Sequence, residues 1–551
     1  MSDAREQWDA VVIGSGLGGL ACAAYLAAAG KRTLVLEAHY VAGGNSQVFR
    51  RRHKGRAYEF DVGLHYIGEC GPEGSITRIL RGIGLAERVR FRPLDPDGFT
   101  TLVFPDLTFR VPAGWDRYRA RLLETFPDEA EPLGRVVDLM QGVAEDNSRL
   151  ANGEISGAEL FTQAPRLLEW GLRPVTELFD AHGLSARPRA VLLGESGDYG
   201  VPPSRTAVAL QSGLTDHYMR GAFYPEGGGQ VIAARLVEAI RAHGGEVRTH
   251  APVARIRVEQ GRVAGVELGG TGGLVDAPIV VSNADLKRTV TELVGETHFG
   301  PETVERVRAY RMTLPLFIVY LGVELDLIAS GLPNTSWFLW GSYDIEGVYR
   351  GLEEGRMPGE DFVYVTVASL KDPHNPRLAP PGYANLQVMT MVPRDYARWH
   401  VAPGDLAAGA YHRDPEYRRL KAELGERLIR SAERVIPGLA DHVDWQETAT
   451  PVTQERFTHS TGGTSYGIEF ATDQMGPLRI GPATEIPGLY LCGASTPSGH
   501  GIGSVLRSGV AAAGAILGRN LLRALARGET LGDASRLPPL RDDWDPWRTS
   551  H

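Results

Sequence analysis

Apolar and polar positions alternate along the chain on two different periods. Asp9–Gly14, with its unbroken apolar run Ala10–Ile13, predicts a buried strand. Small and apolar residues from about Gly18 to Ala29 predict a helix, and Thr33–Glu37 predicts a second strand. Together they make a strand–helix–strand unit of about thirty residues. Much later, Ile232, Leu236 and Ile240 recur at four-residue spacing, and Gly244–Gly245 stops that helix. Ala254, Ile256 and Val258 then alternate with Arg255 and Arg257, which predicts a half-exposed strand. It turns at Gly261–Arg262 and returns over Val263–Leu268. Pro278–Val281 and Gly488–Gly493 read as further short strands, and Gly503–Leu525 as a small-residue helix. Helical stretches are also expected near Trp115–Phe126 and Ala158–Phe179.

The fold class expected is α/β. Nucleotide-type pieces occur at the start, middle and end, with other material between them. That order predicts a discontinuous Rossmann-type domain over 7–90, 222–290 and 475–528. An α+β substrate domain is then inserted as 91–221 and 291–474, and residues 529–551 are expected to be an extended tail.

Composition narrows the partners. The 551 residues are 43% hydrophobic and 23% charged, as in a globular protein with a large core. The net charge of −9 argues against nucleic acid, whose phosphates need a basic face. Three scattered cysteines suit neither a disulfide scaffold nor a zinc site, and no histidine pair has metal-ligand spacing, so no metal is expected. The first eight residues carry no apolar signal core and no run is long enough to span a membrane. A cytoplasmic protein, at most peripheral to a membrane, is expected. Glycine is the outlier, 67 of 551 or about 12% against a usual value of roughly 7%.

Some of those glycines carry chemistry. Gly14-Ser15-Gly16-Leu17-Gly18-Gly19 contains G-x-G-x-x-G between the first strand and the first helix. In such a fingerprint the glycines allow a tight turn, close approach of backbone to a pyrophosphate, and close helix–strand packing. Glu37 ends the second strand, where a carboxylate accepts hydrogen bonds from ribose hydroxyls and disfavours a 2′-phosphate. Gly43–Gly44–Asn45 then offers a second glycine pair for the same pyrophosphate, which favours FAD over NAD. Gly499 to Ser504 is another glycine-rich turn opening a helix.

These residues resemble the flavoprotein family of carotenoid desaturases, carotenoid isomerases and retinol saturases, from Asp9 to about Leu522. The stretches Phe60–Gly68, Gly197–Pro203 and His217–Gly228 look most like the retinol-saturase branch. The resemblance implies a two-domain FAD fold of the amine-oxidase and GDP-dissociation-inhibitor type. It implies FAD contacts at Gly14–Gly19, Glu37, Gly44–Asn45, Val253, Gly493 and Gly503-Ser504-Val505. Ala38, Gly63, Leu64 and His65 complete the candidate cofactor set.

Strand alternation would put Asp61, Gly63 and His65 on one face and Val62, Leu64 and Tyr66 on the other. With Gly63 against the flavin ring, His65 points toward it and Tyr66 away. Reduction of a carbon–carbon double bond needs a hydride and a proton, and His65, Tyr466 and His500 are the candidates for the proton or for orienting substrate. Only one complete fingerprint is present, so reducing equivalents are expected from a partner or by transient docking. Trp337, Phe338, Trp340 and Tyr343, with Phe317 and Tyr320, are read either as an apolar tunnel or as ordinary core. Ala158–Phe179 interleaves Leu160, Phe161, Leu168 and Trp170 with Arg166 and Arg173, and suits either membrane contact or a buried face. Gly463-Thr464-Ser465-Tyr466-Gly467 matches the hydrolase elbow, but an extended segment follows it where a helix is required.

The expected activity is FAD-dependent saturation of a carbon–carbon double bond in an apolar polyene, isoprenoid or unsaturated lipid. Desaturation or cis–trans isomerisation on reduced flavin is the alternative, and a non-catalytic prenyl or lipid carrier the remote one.

Overall fold

The computed structural model describes residues 6–270, 272–402, 406 and 409–551. Five short parallel strands and three helices position the candidate site: β1 (Ala10–Ile13), α1 (Leu17–Ala28), β2 (Thr33–Leu36), α2 (Gln230–Ala242), β3 (Glu246–Arg248), β4 (Val280–Ser282), β5 (Leu489–Leu491) and α3 (Ile502–Leu517). The strand order is β3-β2-β1-β4-β5, so segments hundreds of residues apart lie side by side. β1, β2 and β4 are buried at every position, which is why they read as continuous apolar runs without alternation.

α1 packs between this sheet and α3. Small residues permit the approach: a side chain on Gly509 of α3 would run into the carbonyl of Gly18. α3 is shorter than the expected Gly503–Leu525 helix. Gly518 takes a left-handed conformation (φ +67°) and ends it, and Leu521–Ala526 is a separate helix capped by Asn520. The stretch Ala158–Phe179 is likewise divided. Pro165 starts one short helix (Pro165–Trp170) after another has ended at Gln163, and Pro174 precedes a third (Val175–Ala181).

A seven-stranded sheet lies beside the parallel one, in the order Val443–Ala449, Leu316–Val323, Ala384–Met391, Phe362–Thr366, Ser336–Trp340, Thr100–Val103 and Thr108–Val111. Its four central strands, Leu316–Val323 to Ser336–Trp340, are buried on both faces. Trp337 and Leu339 enter one apolar cluster, and Phe338 and Trp340 the other. The aromatic residues therefore pack as core: Phe317 stacks on Trp399 at 5.7 Å, and the Trp340 indole donates to Gly194 O at 2.9 Å. None of the six lines the large cavity described below.

The tail is not extended. Ala534–Arg536 and Pro546–Thr549 form helical turns, and the second packs against α2.

Candidate active site

One cavity of about 550 Å³ opens where the C-terminal ends of β1, β2 and β4 meet the N-termini of α1 and α3. This is the place where an open parallel sheet takes a ligand. Gly14, Gly16, Leu17 and Gly18 form one wall and Glu37, Ala38 and His39 the next. Gly43 to Gln47 face the fingerprint, and Gly493, Gly501, Ile502 and Val505 close the far side. Both helices begin on a glycine, Gly16 and Gly501, and neither start is capped by a side chain. Their first amide groups remain available as donors, with the positive ends of two helix dipoles behind them.

Glu37 is tied in place before any ligand is considered. Ser15 donates to its Oε2 through both N–H (2.8 Å) and Oγ (2.5 Å), and the N–H of His39 donates to Oε1 at 2.7 Å. Ser15 is fully buried and stands behind the cavity wall, where it holds Glu37. Gly19 also lies outside the cavity, pressed against the Gly14 carbonyl.

A residue that sequence reasoning missed sits at the centre. The side chain of Asn283, immediately after β4, is packed among the glycines: a Cβ on Gly16 would stand 2.7 Å from its Nδ2, one on Gly18 2.8 Å from its Oδ1, and one on Gly493 2.7 Å from the same oxygen. The chain reaches this point because Asn283 N–H donates to Ile13 O at 2.9 Å. A Ser-Asn ending on an apolar strand was the available signal.

The three candidates for the chemistry line the same cavity. Tyr466 and His500 pack with tilted rings, 5.0 Å between centroids, and the Tyr466 hydroxyl donates to Gly197 O at 2.9 Å. His65 stands edge-on to Tyr364 at 5.5 Å. Its carbonyl accepts from the ammonium of Lys371 at 2.8 Å, which also donates to Ser336 Oγ at 2.9 Å and to Thr366 Oγ1. Burial pushes the imidazoles of His65 and His500 down to about 3, with Lys371 and Arg479 respectively adding repulsion. Burial holds the Tyr466 hydroxyl well above its usual range. All three side chains are uncharged at neutral pH.

The expected alternation around them fails. The strand ends at Asp61, and the chain then bends, so that Val62 joins Gly63 and His65 on the cavity. Asp61 turns away and accepts from Tyr224 Oη and from Gly229 N–H (2.8 Å). Tyr66 faces the core as expected, donating to Asp198 at 2.9 Å. Leu64, Gly503 and Ser504 also lie off the cavity; Gly503 lies over His217, and the Ser504 hydroxyl accepts from Arg507. Val253 and Asn45 line it, and Asn45 Oδ1 accepts from Gln454 at 3.0 Å across the opening.

The residues present fit an FAD. The lining brings together the Glu37 carboxylate, two glycine turns at helix starts that no side chain caps, and a group of uncharged side chains (His65, Leu316, Ile318, Tyr466 and His500), with Asp285, Arg288 and Glu292 also on the wall. Two buried polar atoms on its wall, His500 Nδ1 and Gln47 Oε1, lack a hydrogen-bond partner among the described residues. Gly501 leaves open space where a side chain would stand.

Comparison with known proteins agrees. The family model for flavin containing amine oxidoreductase matches residues 17–517. The chain is 29% identical over 545 residues to a human protein named all-trans-retinol 13,14-reductase, covering 94% of this chain and 86% of the relative. It is 27% identical over 534 residues to the chloroplastic prolycopene isomerase of Arabidopsis thaliana, covering 91% and 81%. Among solved structures, the cyclohexylamine oxidase of Brevibacterium oxydans superposes with a TM-score of 0.57 at 16% identity, covering 95% of this chain and 99% of that one. A matching model over most of the chain, together with a cavity whose lining fits a flavin dinucleotide, makes this protein an FAD-dependent oxidoreductase of the flavin containing amine oxidoreductase family.

Proposed function

We propose that the protein saturates a carbon–carbon double bond of an apolar polyene, isoprenoid or unsaturated lipid. The observation that carries this reading is the uncharged group of side chains on the cavity wall, Leu316, Ile318, Tyr466 and two neutral histidines. An amine substrate would call for a counter-charge within that group, and a polyene needs none. The names of the relatives, a retinol reductase and a prolycopene isomerase, point to the same substrate class.

Bound FAD supplies the hydride. The fingerprint amides and Gly44–Asn45 hold its pyrophosphate, and Glu37 its ribose. His65 and His500 orient the polyene. Because Tyr466 already donates to Gly197 O and both imidazoles are neutral, none of the three is a strong acid as placed. The proton for the second carbon therefore comes from solvent by way of a water molecule that His65 positions, and the hydroxide left behind is neutralised by bulk solvent. His65→Ala should slow turnover at least tenfold and spare FAD; unchanged turnover removes His65 from the mechanism.

Substrate reaches the site from a membrane surface in this reading. Phe161 (73% exposed), Leu168 (51%) and Leu172 (50%) stand out beside Arg166 and Arg173. Among the described residues no helix is long and apolar enough to cross a membrane. Vesicle flotation tests the contact, and loss of flotation in Phe161→Ser is the expected result. Electrons come from an external donor.

The deciding experiment is anaerobic. The purified protein is photoreduced, retinol is added, and flavin and polyene absorbance are followed together. Flavin reoxidation with loss of conjugation supports saturation. A shifted polyene band with flavin still reduced means isomerisation instead. In a parallel anaerobic sample left oxidised, reduction of the flavin by added polyene, with longer conjugation, means desaturation.

A further inference from the structure

Gln230, the first residue of α2, is fully buried, and its carboxamide closes three hydrogen bonds at once. Nε2 donates to Ala42 O at 2.7 Å and to Ser550 Oγ at 2.8 Å, while Oε1 accepts from Val48 N–H at 3.0 Å. Ser550 is 1% exposed, and its carbonyl accepts from Ala42 N–H at 2.8 Å. Both backbone groups of Ala42 are thus consumed, one by α2 and the other by the segment around residue 550. Ala42 and Val48 bracket Gly43 to Gln47, one wall of the flavin cavity.

The outer part of this contact is equally specific. Arg50 donates twice to Asp545, at 2.7 and 2.6 Å. The indole of Trp544 donates to Glu238 at 2.8 Å, and the Arg235 guanidinium lies 3.5 Å from its ring centroid. Arg241 donates to Thr549 O at 3.0 Å. Neither Gln230 nor any of residues 544–551 lines the flavin cavity.

The wall they hold needs holding. Gly43 (φ +136°) and Gly44 (φ +57°) are glycines in left-handed backbone, the residue type with most conformational freedom to lose when a loop is fixed. Gly44 rests directly on the fingerprint, close enough that a Cβ there would stand 2.9 Å from Gly16 Cα. A shift of this loop therefore opens the pyrophosphate cradle itself.

We propose that Gln230 and residues 544–551 form a clasp that holds the Gly43–Gln47 wall closed on FAD, with Gln230 as its positioning residue. Clasp closure and FAD binding are then one coupled equilibrium. Coupling is reciprocal, so FAD must tighten a clasp that it does not touch by the same factor by which the clasp tightens FAD.

Hydrogen exchange on the FAD-loaded and FAD-stripped full chain tests this. Exchange in residues 544–551 should slow at least fivefold when FAD is bound, and equal exchange in the two forms overturns the proposal. Asp545→Ala frees the segment from Arg50, which keeps its second partner Glu59. Its FAD dissociation constant, read by flavin fluorescence, should rise about tenfold while the melting temperature of the stripped protein stays within about 2 °C of the parent. An unchanged dissociation constant, or one that rises only with an equal loss of stripped-protein stability, overturns it. If the variant fails to fold, the exchange comparison on the parent still decides.

Discussion

Asn283 and Gly16 meet where the first and middle nucleotide-type segments of the chain join: a methyl group on Gly16 would lie 2.7 Å from the Asn283 carboxamide nitrogen. The glycine leaves room for a side chain of the protein, and in the proposed site for a phosphate as well. Gly18 and Gly493 press on the same carboxamide. Substitution at Gly16 is therefore expected to act in two ways, by displacing Asn283 and by filling the cradle.

That duality can be separated. Gly16→Ala should retain less than a tenth of the parent flavin per polypeptide, measured by absorbance at the flavin band. Gly16→Ala combined with Asn283→Ala should recover part of it, because the carboxamide is gone while the methyl remains. Stoichiometric FAD in the single variant would falsify the cradle assignment.

Glu37 carries three donated hydrogen bonds from Ser15 and His39 in addition to any from ribose. Glu37→Ala should weaken FAD binding at least tenfold and also cost about 1–3 kcal/mol of stripped-protein stability, since the Ser15 groups behind it are buried. Denaturant titration of the stripped protein checks the second part. A loss of affinity with no loss of stability would show that the Ser15 bonds are made elsewhere.

His500 gives a pH test with a definite sign. Its folded value, about 3, lies below the unfolded value near 6.5, so the unfolded state binds more protons between them. The stability it contributes is present above pH 6.5 and lost as pH falls toward 3. Buried Asp198 and Glu195, pushed up by burial, act in the opposite direction, so the parent alone does not isolate the effect. His500→Gln should destabilise less on acidification than the parent, by about 2 kcal/mol at pH 5 relative to pH 7. A parent-to-variant gap independent of pH would contradict this.

Tyr466 is the candidate acid most easily tested. Its hydroxyl is committed to Gly197 O, and its ring to His500. Tyr466→Phe should cost about 1 kcal/mol of stability and leave turnover within a few fold of the parent. A drop of a hundredfold or more in kcat with unchanged FAD content would make Tyr466 the proton donor after all.

The pattern of the chain by itself determined the parallel nucleotide fold, and it named most of the glycines and the Glu37 carboxylate that line the cavity. The first strand, the Gly14–Gly19 turn, α1 and Glu37 lie within a few turns of chain, so backbone geometry and short-range packing leave a readable spacing. Burial of strands on both faces leaves an equally clear apolar run. Local punctuation is legible too: Pro165, Pro174 and Gly518 cut the two helices that apolar content alone would make continuous.

Tertiary structure alone decided the rest. Asn283 reaches Gly16, Gln230 joins Ala42 to Ser550, and the 337–343 aromatics divide between core faces instead of lining a tunnel. The bend after Asp61 reassigned which residues face the cavity, because alternation lasts only as long as a strand does. Contacts between side chains hundreds of residues apart are set by how sheets and helices stack, and they impose no periodicity on the segments that make them.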